Sequence, residues 1–409
     1  MTEKFALCAD IGTTSLKAAL IDKNGNMAAF SQKVFVNPDG EKVAHNWLPA
    51  LYSAVQEMNM HAKEICALCI SGNGPTIVSE DGTTLLWNEP IDKIACAKTA
   101  AENTSIRSLF IPRLLAFRER FPAQWNMSRF VYSGPEYAIW QLTGKNLTIL
   151  PEMRYGETYW TDEQLELVAL EREKLPPFAN IAHNTGMTTP KATARLGLHK
   201  PIPVFCGGPD FIAAMIGTGS LYAGALYDCA GSSEGVNLCT AHQIHEQGMR
   251  NLPSVASGLW NAAVLQQKSG LRFVTYKKKF EAHMNNEISY AELIEQSIAD
   301  KSSEGFSILE ELAVNFRNAV NALINVAEKN HITVQLPIIV TGGQAKNDVW
   351  MQMKCNYAHV PLATCTCTDA ELLGNAACAF YGLGVHKSLT DAAKSIVKIA
   401  RRYEPDQLR

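Results

Sequence analysis

Asp10-Ile11-Gly12-Thr13-Thr14-Ser15 is the stretch on which the reading of this chain turns. The apolar run Phe5 to Ala9 leads into it and Leu16 to Ile21 leads out, so it predicts a hairpin tip between two strands. A turn at Lys23-Asn24-Gly25-Asn26 then predicts a third strand from Met27 onward. Glycine lets a ligand approach the backbone, and the hydroxyls of Thr13 and Thr14 add donors, so the tip suits a phosphate group. Gly, Ser and Thr are also ordinary turn residues, and a plain hairpin explains the tip equally. Asp10, just before the tip, reads either as a carboxylate for Mg²⁺ held through waters or as a strand-end turn residue.

The pattern recurs about half the chain later. Cys229-Ala230-Gly231-Ser232-Ser233 lies between the strand-like runs Ala225 to Ala230 and Gly235 to Thr240. Two similar lobes, each offering one Gly-hydroxyl-hydroxyl tip, would explain the spacing. At 409 residues the chain suits two domains of about 200 residues, divided here as 1–222 and 223–409.

Three further segments carry candidate chemistry. Pro203 to Cys206 predicts a strand ending at Gly207-Gly208-Pro209-Asp210, with a helix from Phe211 to Met215. Asp210 at that junction reads as a general base for an alcohol or as a helix N-cap. Thr341-Gly342-Gly343-Gln344-Ala345 follows a strand, Leu336 to Val340, and precedes a helix, Asp348 to Ala358. It reads as a close approach for a flat ligand such as adenosine, or as a tight β–α turn. Trp87-Asn88-Glu89 offers an indole face beside an amide and a carboxylate, a platform for a sugar; an indole in the core is the alternative. Ser71-Gly72-Asn73-Gly74-Pro75-Thr76, after a strand at Ile65 to Ile70, is placed in the same pocket.

The remaining pattern is coarser. Asn46 to Met60 predicts an amphipathic helix with Leu48, Leu51, Val55 and Met58 on one face, and His45-Asn46-Trp47 its cap. Asp81-Gly82 predicts a hairpin turn between Thr76–Val78 and Leu85–Trp87. Residues 98–175 read as mostly helical, as do Ile308 to Glu328 and Glu371 to Tyr381. Gly374, inside the last of these, costs about 1 kcal/mol against alanine unless close packing compensates.

Net charge is −3, with no concentrated basic run, which argues against nucleic acid as a partner. No apolar stretch reaches membrane-span length, and the N-terminal run is too short for a signal peptide, so a cytoplasmic location is expected. Eleven cysteines without a disulfide rhythm, most in apolar runs, read as reduced and buried. Cys365-Thr366-Cys367 reads as strand alternation or, less simply, as a metal pair.

Taken in order, the motifs resemble the FGGY carbohydrate kinases, with xylulokinase-like members nearest. Asp10 to Lys17 resembles the first phosphate loop, Ser71-Gly72-Asn73-Gly74-Pro75 the segment beside the sugar, and Leu86-Trp87-Asn88 the adjoining one. Gly207 to Asp210 resembles the loop with the catalytic Asp, and Ala230 to Gly235 the second phosphate loop. Val340 to Trp350 resembles the adenosine segment, and Glu371 to Ala377 the helix after it. The resemblance implies an α/β fold of two actin-like (ribonuclease H-like) domains with a nucleotide cleft between them. It also implies ATP with Mg²⁺ and a ketose or polyol as acceptor. Asp210 would be the base and Asp10 the metal residue. Gly12, Thr13, Thr14, Gly231, Ser232 and Ser233 would meet phosphates, and Gly342, Gly343, Gln344 and Asn347 the nucleoside. Asn73, Gly74, Trp87, Asn88 and Phe211 would join Asp210 around the sugar. Gly74-Pro75 and Phe211 stand where the family usually has Met-His and Asn, and the stretch between Gly270 and Ile308 is shorter than the family's. A homodimer is compatible with this reading. Two rivals stay open: an actin-like nucleotide-binding protein without kinase activity, and an actin-like ATPase that activates another enzyme through a cysteine-held cluster.

Overall fold

The computed structural model describes residues 4–58, 64–231, 233–266 and 269–406. The contacts group the chain into two compact units: Met1–Ala213 with Glu371–Ile396, and Ala214–Ala370 with Val397–Arg409.

In the first unit, β1 (Phe5–Ile11), β2 (Ser15–Asp22) and β3 (Met27–Val34) form an antiparallel meander. β4 (Ile65–Gly72) pairs in parallel with β1, and β5 (Pro203–Pro209) in parallel with β4. Every residue of β1 is buried, which is why it reads as a continuous apolar run rather than an alternation. Helix α1 (Ala44–Glu57) connects β3 to β4 and buries Trp47, Leu51, Ala54 and Val55.

The second unit repeats the plan. β6 (Ala225–Ala230), β7 (Glu234–Thr240) and β8 (Trp260–Gln266) form the meander. β9 (Gln335–Thr341) pairs in parallel with β6, and β10 (Leu362–Cys365) in parallel with β9. A three-strand meander continued by two parallel strands is the ribonuclease H-like arrangement, present once in each unit. Helix α2 (Asp210–Gly217) follows β5. Helix α3 (Glu304–Lys329) covers the second sheet with Phe316, Ala319, Val320 and Leu323, a stripe at helical spacing. Ser303 caps it, its hydroxyl accepting from the Phe306 N–H at 3.0 Å. Helix α4 (Asp348–Ala358) adds Met351 and Cys355 to the same core.

Several expectations are corrected. The units do not divide at 222/223. Helix α5 (Ala370–Gly382) and the helix Leu389–Ile396 belong mainly to the first unit. The cause is packing: a Cβ on Gly374 would stand 1.9 Å from the Ala213 carbonyl oxygen, and one on Gly382 2.4 Å from the Phe205 ring. Glycine inside α5 is therefore the condition for docking it. Helix α1 starts at Ala44 after an uncapped Val43, so His45 is inside the helix; its ring contacts the Asp81 carbonyl at 2.9 Å. Leu48 is half-buried while Trp47 is fully buried, so the apolar face is set by Trp47. Met60 lies outside the described residues.

Residues 98–175 are less helical than their pattern suggests. Helices Ile111–Arg120 and Pro122–Met127 are followed by the short strand Val131–Tyr132, helix Gly134–Thr143 and a second short strand, Thr148–Leu150. Proline in the first turn of each helix marks the breaks. The hairpin at Asp81-Gly82 pairs Ile77–Ser79 with Thr84–Leu85, which leaves Trp87 beyond the strand. Cys365 ends β10, and Cys367 lies past it with its side chain also buried. Among the described residues no helix is long and apolar enough to cross a membrane. No group of three or more His, Cys, Asp or Glu among them could hold a metal.

Candidate active site

Strand register in the first unit builds a row of functional side chains. Asp10 stands opposite Lys17 on β2 and Ser71 on β4, and Ser71 stands opposite Gly208 on β5. The row ends two residues before Asp210. Ser71 donates to Asp10 Oδ1 at 2.7 Å, and Asn375 Nδ2 donates to Ser71 Oγ and to the Ala9 carbonyl, each at 2.8 Å. Asp10 is thus a buried carboxylate held in place from α5, a donor of the chemistry that suits a hard cation.

The first tip is a tight hairpin. The Gly12 N–H donates to the Ser15 carbonyl at 2.9 Å, and a Cβ on Gly12 would come within 3.0 Å of that oxygen. Thr14 is exposed and Thr13 half-buried. The Trp87 indole N–H donates to Thr13 Oγ1 at 3.0 Å, and the Trp87 backbone N–H to Thr76 Oγ1 at 3.2 Å. Thr76 donates to Asn73 Oδ1 at 2.8 Å, and the Asn73 N–H to the Ile11 carbonyl at 2.9 Å. The structure therefore joins Asn73, Trp87 and Thr13 in one network. Asn73 Nδ2 is buried with no protein partner among the described residues, a donor left for something else. Gly74 is half-buried beside it, and Trp87 and Asn88 are exposed. At 39% exposure, Trp87 is not a core indole.

Asp210 opens α2, and its Oδ1 accepts from the Phe211 N–H at 2.7 Å. Both residues keep part of their surface open. Burial, then the negative charge of Glu371, pushes the Asp210 carboxyl up to about 7; the Phe211 N–H and Lys17 oppose that rise. A carboxyl that titrates near neutrality suits proton acceptance better than a simple cap requires.

In the second unit, Gly231 and Ser233 form the corresponding tip, the Gly231 N–H donating to the Ser233 carbonyl at 2.9 Å. Ser232 lies outside the described residues. Gly342 follows β9 with φ +91°, and a Cβ there would stand 2.5 Å from the Ala230 carbonyl oxygen. The two glycine segments thus touch through bare backbone, and Gly343 beside them is exposed and unobstructed. This cradle fits a nucleotide. Gln344 also ties these segments together. Its Nε2 donates to the Gly231 carbonyl at 3.3 Å and its Oε1 accepts from Trp350 Nε1 at 3.1 Å, so it works as a strut between segments. Asn347 caps α4, its side chain accepting from the Trp350 N–H at 2.8 Å.

Other contributors have no role assigned by the sequence reading. Arg113 donates to the carbonyls of Leu86 and Glu89 at 2.7 and 3.1 Å and so holds the Trp87 loop in shape. Asn375 and Ser71 act through hydrogen bonds across distant segments. Both lie in segments that carry the resemblance, and Asn375 is also a polar residue inside the otherwise apolar run Leu372 to Phe380.

Residues 193–383 match the FGGY family of carbohydrate kinases, C-terminal domain. The chain is 21% identical to a xylulose kinase of Bacillus subtilis (strain 168), over 98% of this chain and 93% of the relative. It is 21% identical to an autoinducer-2 kinase of Yersinia enterocolitica, over 98% and 90%. Among solved structures it superposes on ligand-bound xylulose kinase from Lactobacillus acidophilus with a TM-score of 0.77, at 16% identity, over 98% of this chain and 94% of that one. The fold and these likenesses define the class: sugar kinases, phosphotransferases built on paired actin-like domains. Residues 193–383 carry the C-terminal domain of the FGGY family of carbohydrate kinases, and the chain as a whole is similar to xylulose kinases in sequence and fold. The alignment with the Bacillus relative runs over 465 positions, more than the chain's 409 residues, so the relative carries insertions absent here.

Proposed function

We propose that this protein transfers the γ-phosphoryl group of ATP to a hydroxyl of a ketose of the xylulose type, or of a polyol, with Asp210 as the general base. The observation that carries the reading is the Asp210 carboxyl, poised near neutrality at a strand–helix junction on the sheet that also presents Asp10 and Ser71. In this reading Asp210 accepts the proton of the attacking hydroxyl as its oxygen bonds to the γ-phosphorus, while the bond from that phosphorus to the β–γ bridging oxygen breaks and ADP leaves.

The first unit also orients the acceptor. Asn73 Nδ2, buried without a protein partner, donates to a sugar oxygen, and the exposed Trp87 face lies against the sugar's C–H surface. Phe211 and Pro75 stand where the family usually has the polar Asn and His, which favours an acceptor with an apolar edge there. Asp10, steadied by Ser71, would hold Mg²⁺ through waters. When bound, that ion neutralises charge on the phosphates. Backbone N–H groups around Gly12 and around Gly231 and Ser233 serve the same charge, and Gly342 and Gly343 leave room for the nucleoside.

The test is ADP release with Mg-ATP across a panel of pentuloses, hexuloses and polyols. Sugar-dependent ADP formation that vanishes in Asp210→Ala supports the proposal. ADP release indifferent to every sugar would instead favour a nucleotide-binding protein without kinase activity.

A further inference from the structure

Helix α4 is fastened to the second glycine-hydroxyl tip in two places. Lys354 Nζ lies 2.7 Å from Asp228 Oδ2 and 2.6 Å from Glu234 Oε1, with all three side chains fully shielded from solvent. Asp228 sits on β6, and Glu234 is the first residue of β7, directly after Ser233. One ammonium therefore grips both strands that carry the tip. Its position is fixed in turn by the Phe316 ring, whose centroid is 4.1 Å away. One helical turn earlier, Trp350 reaches the tip through Gln344 and the Gly231 carbonyl.

Core stability does not account for this cluster. The surrounding core is apolar, built from Leu226, Val236, Phe316 and Val320 among others. Apolar residues of the same volume stabilise such a site as well as or better than buried charges, because desolvation costs about as much as pairing returns. Charges supply direction, which an apolar contact lacks. Burial pushes the Asp228 carboxyl up, with the Lys354 ammonium opposing that rise and the neighbouring Glu234 carboxyl adding to it.

We propose that Lys354 is a positioning residue, which fixes Gly231 and Ser233 by clamping the strands on either side and so readies the backbone there to meet nucleotide phosphate. The proposal rests on the phosphate-binding reading of that tip.

The test uses the whole chain with Lys354→Met and Glu234→Met. The second variant leaves Lys354 and Asp228 as a balanced pair and decides the matter if the first does not fold. Mg-ADP binding is measured by titration calorimetry, and amide exchange is followed over residues 229–235 without nucleotide. Expected are a Kd for Mg-ADP about ten-fold weaker, equivalent to about 1.4 kcal/mol, and faster exchange at the tip. A folded Glu234→Met with unchanged exchange over that segment overturns the proposal. If the wild type binds no Mg-ADP, the phosphate reading fails, while the exchange data still judge the clamp.

Discussion

The Trp87 indole N–H donates to the hydroxyl of Thr13 at 3.0 Å, which ties the candidate sugar platform to the first candidate phosphate tip. Side chains far apart in sequence thereby share one conformation. Trp87→Phe keeps an aromatic face and deletes only the donor. It is expected to raise KM for both the sugar and ATP by a few-fold, since one hydrogen bond contributes about 0.5–1.5 kcal/mol. Thr13→Val should reproduce the effect, and the double variant should lose less than the sum of the two. Full additivity in steady-state kinetics would deny the coupling.

Asp210→Asn retains shape and removes the base. Turnover should fall at least about 100-fold, with KM for ATP little changed. Near-normal turnover in a coupled ADP assay would remove Asp210 from the mechanism.

The same carboxyl sets a pH dependence. Only its ionised form accepts a proton, so kcat/KM should drop as pH falls through about 7. Stability runs the other way. A carboxyl whose folded-state pKa is raised gives its full stabilisation below the unfolded-state pKa and loses it as pH rises through about 7. Relative to wild type, Asp210→Asn should therefore melt higher at pH 8.5 than at pH 5.5. Equal melting differences at the two pH values would show that the carboxyl titrates in its ordinary range.

Gly342→Ala would force a Cβ to 2.5 Å from the Ala230 carbonyl oxygen at a φ of +91°. The expected cost is at least about 2 kcal/mol of stability, with weakened Mg-ADP binding. Gly343→Ala meets nothing within 4 Å and serves as the control. Denaturant unfolding of the two variants checks the contrast.

Asn375→Ala deletes both donors from α5 to Ser71 and the Ala9 carbonyl. Melting should fall by the equivalent of about 1–3 kcal/mol. Because Ser71 would then hold Asp10 less firmly, a higher Mg²⁺ concentration should be needed for half-maximal turnover. A Mg²⁺ titration unaltered in a folded variant would confine Asn375 to a structural role.

Much of this molecule is legible along the chain because its information is local. Both hairpin tips, the junction at Asp210 and the turn at Gly342 are punctuated by glycine between apolar runs, and all appear where the pattern puts them. The Lys354 cluster and the Asn375–Ser71–Asp10 relay were not legible. A lysine in a helical pattern reads as solvated, and only tertiary packing shows it to be enclosed by Asp228 and Glu234. Gln344 and Asn347 show a related limit: a motif gives a residue's neighbourhood, while the hydrogen bonds it makes to the fold appear only in three dimensions. The division at 222/223 missed because a pattern read in chain order cannot reveal a late helix returning to an early sheet.

That return has a consequence for biosynthesis. The early strands must be made long before α5, yet Ala9 and Ser71 bond to Asn375, and Gly374 nestles on Ala213. As the chain leaves the ribosome, the first-made half waits incomplete until Ala370–Gly382 emerge. A nonsense truncation anywhere before 370 would strip a completed-looking amino-terminal half of two of its helices and leave it prey to proteases.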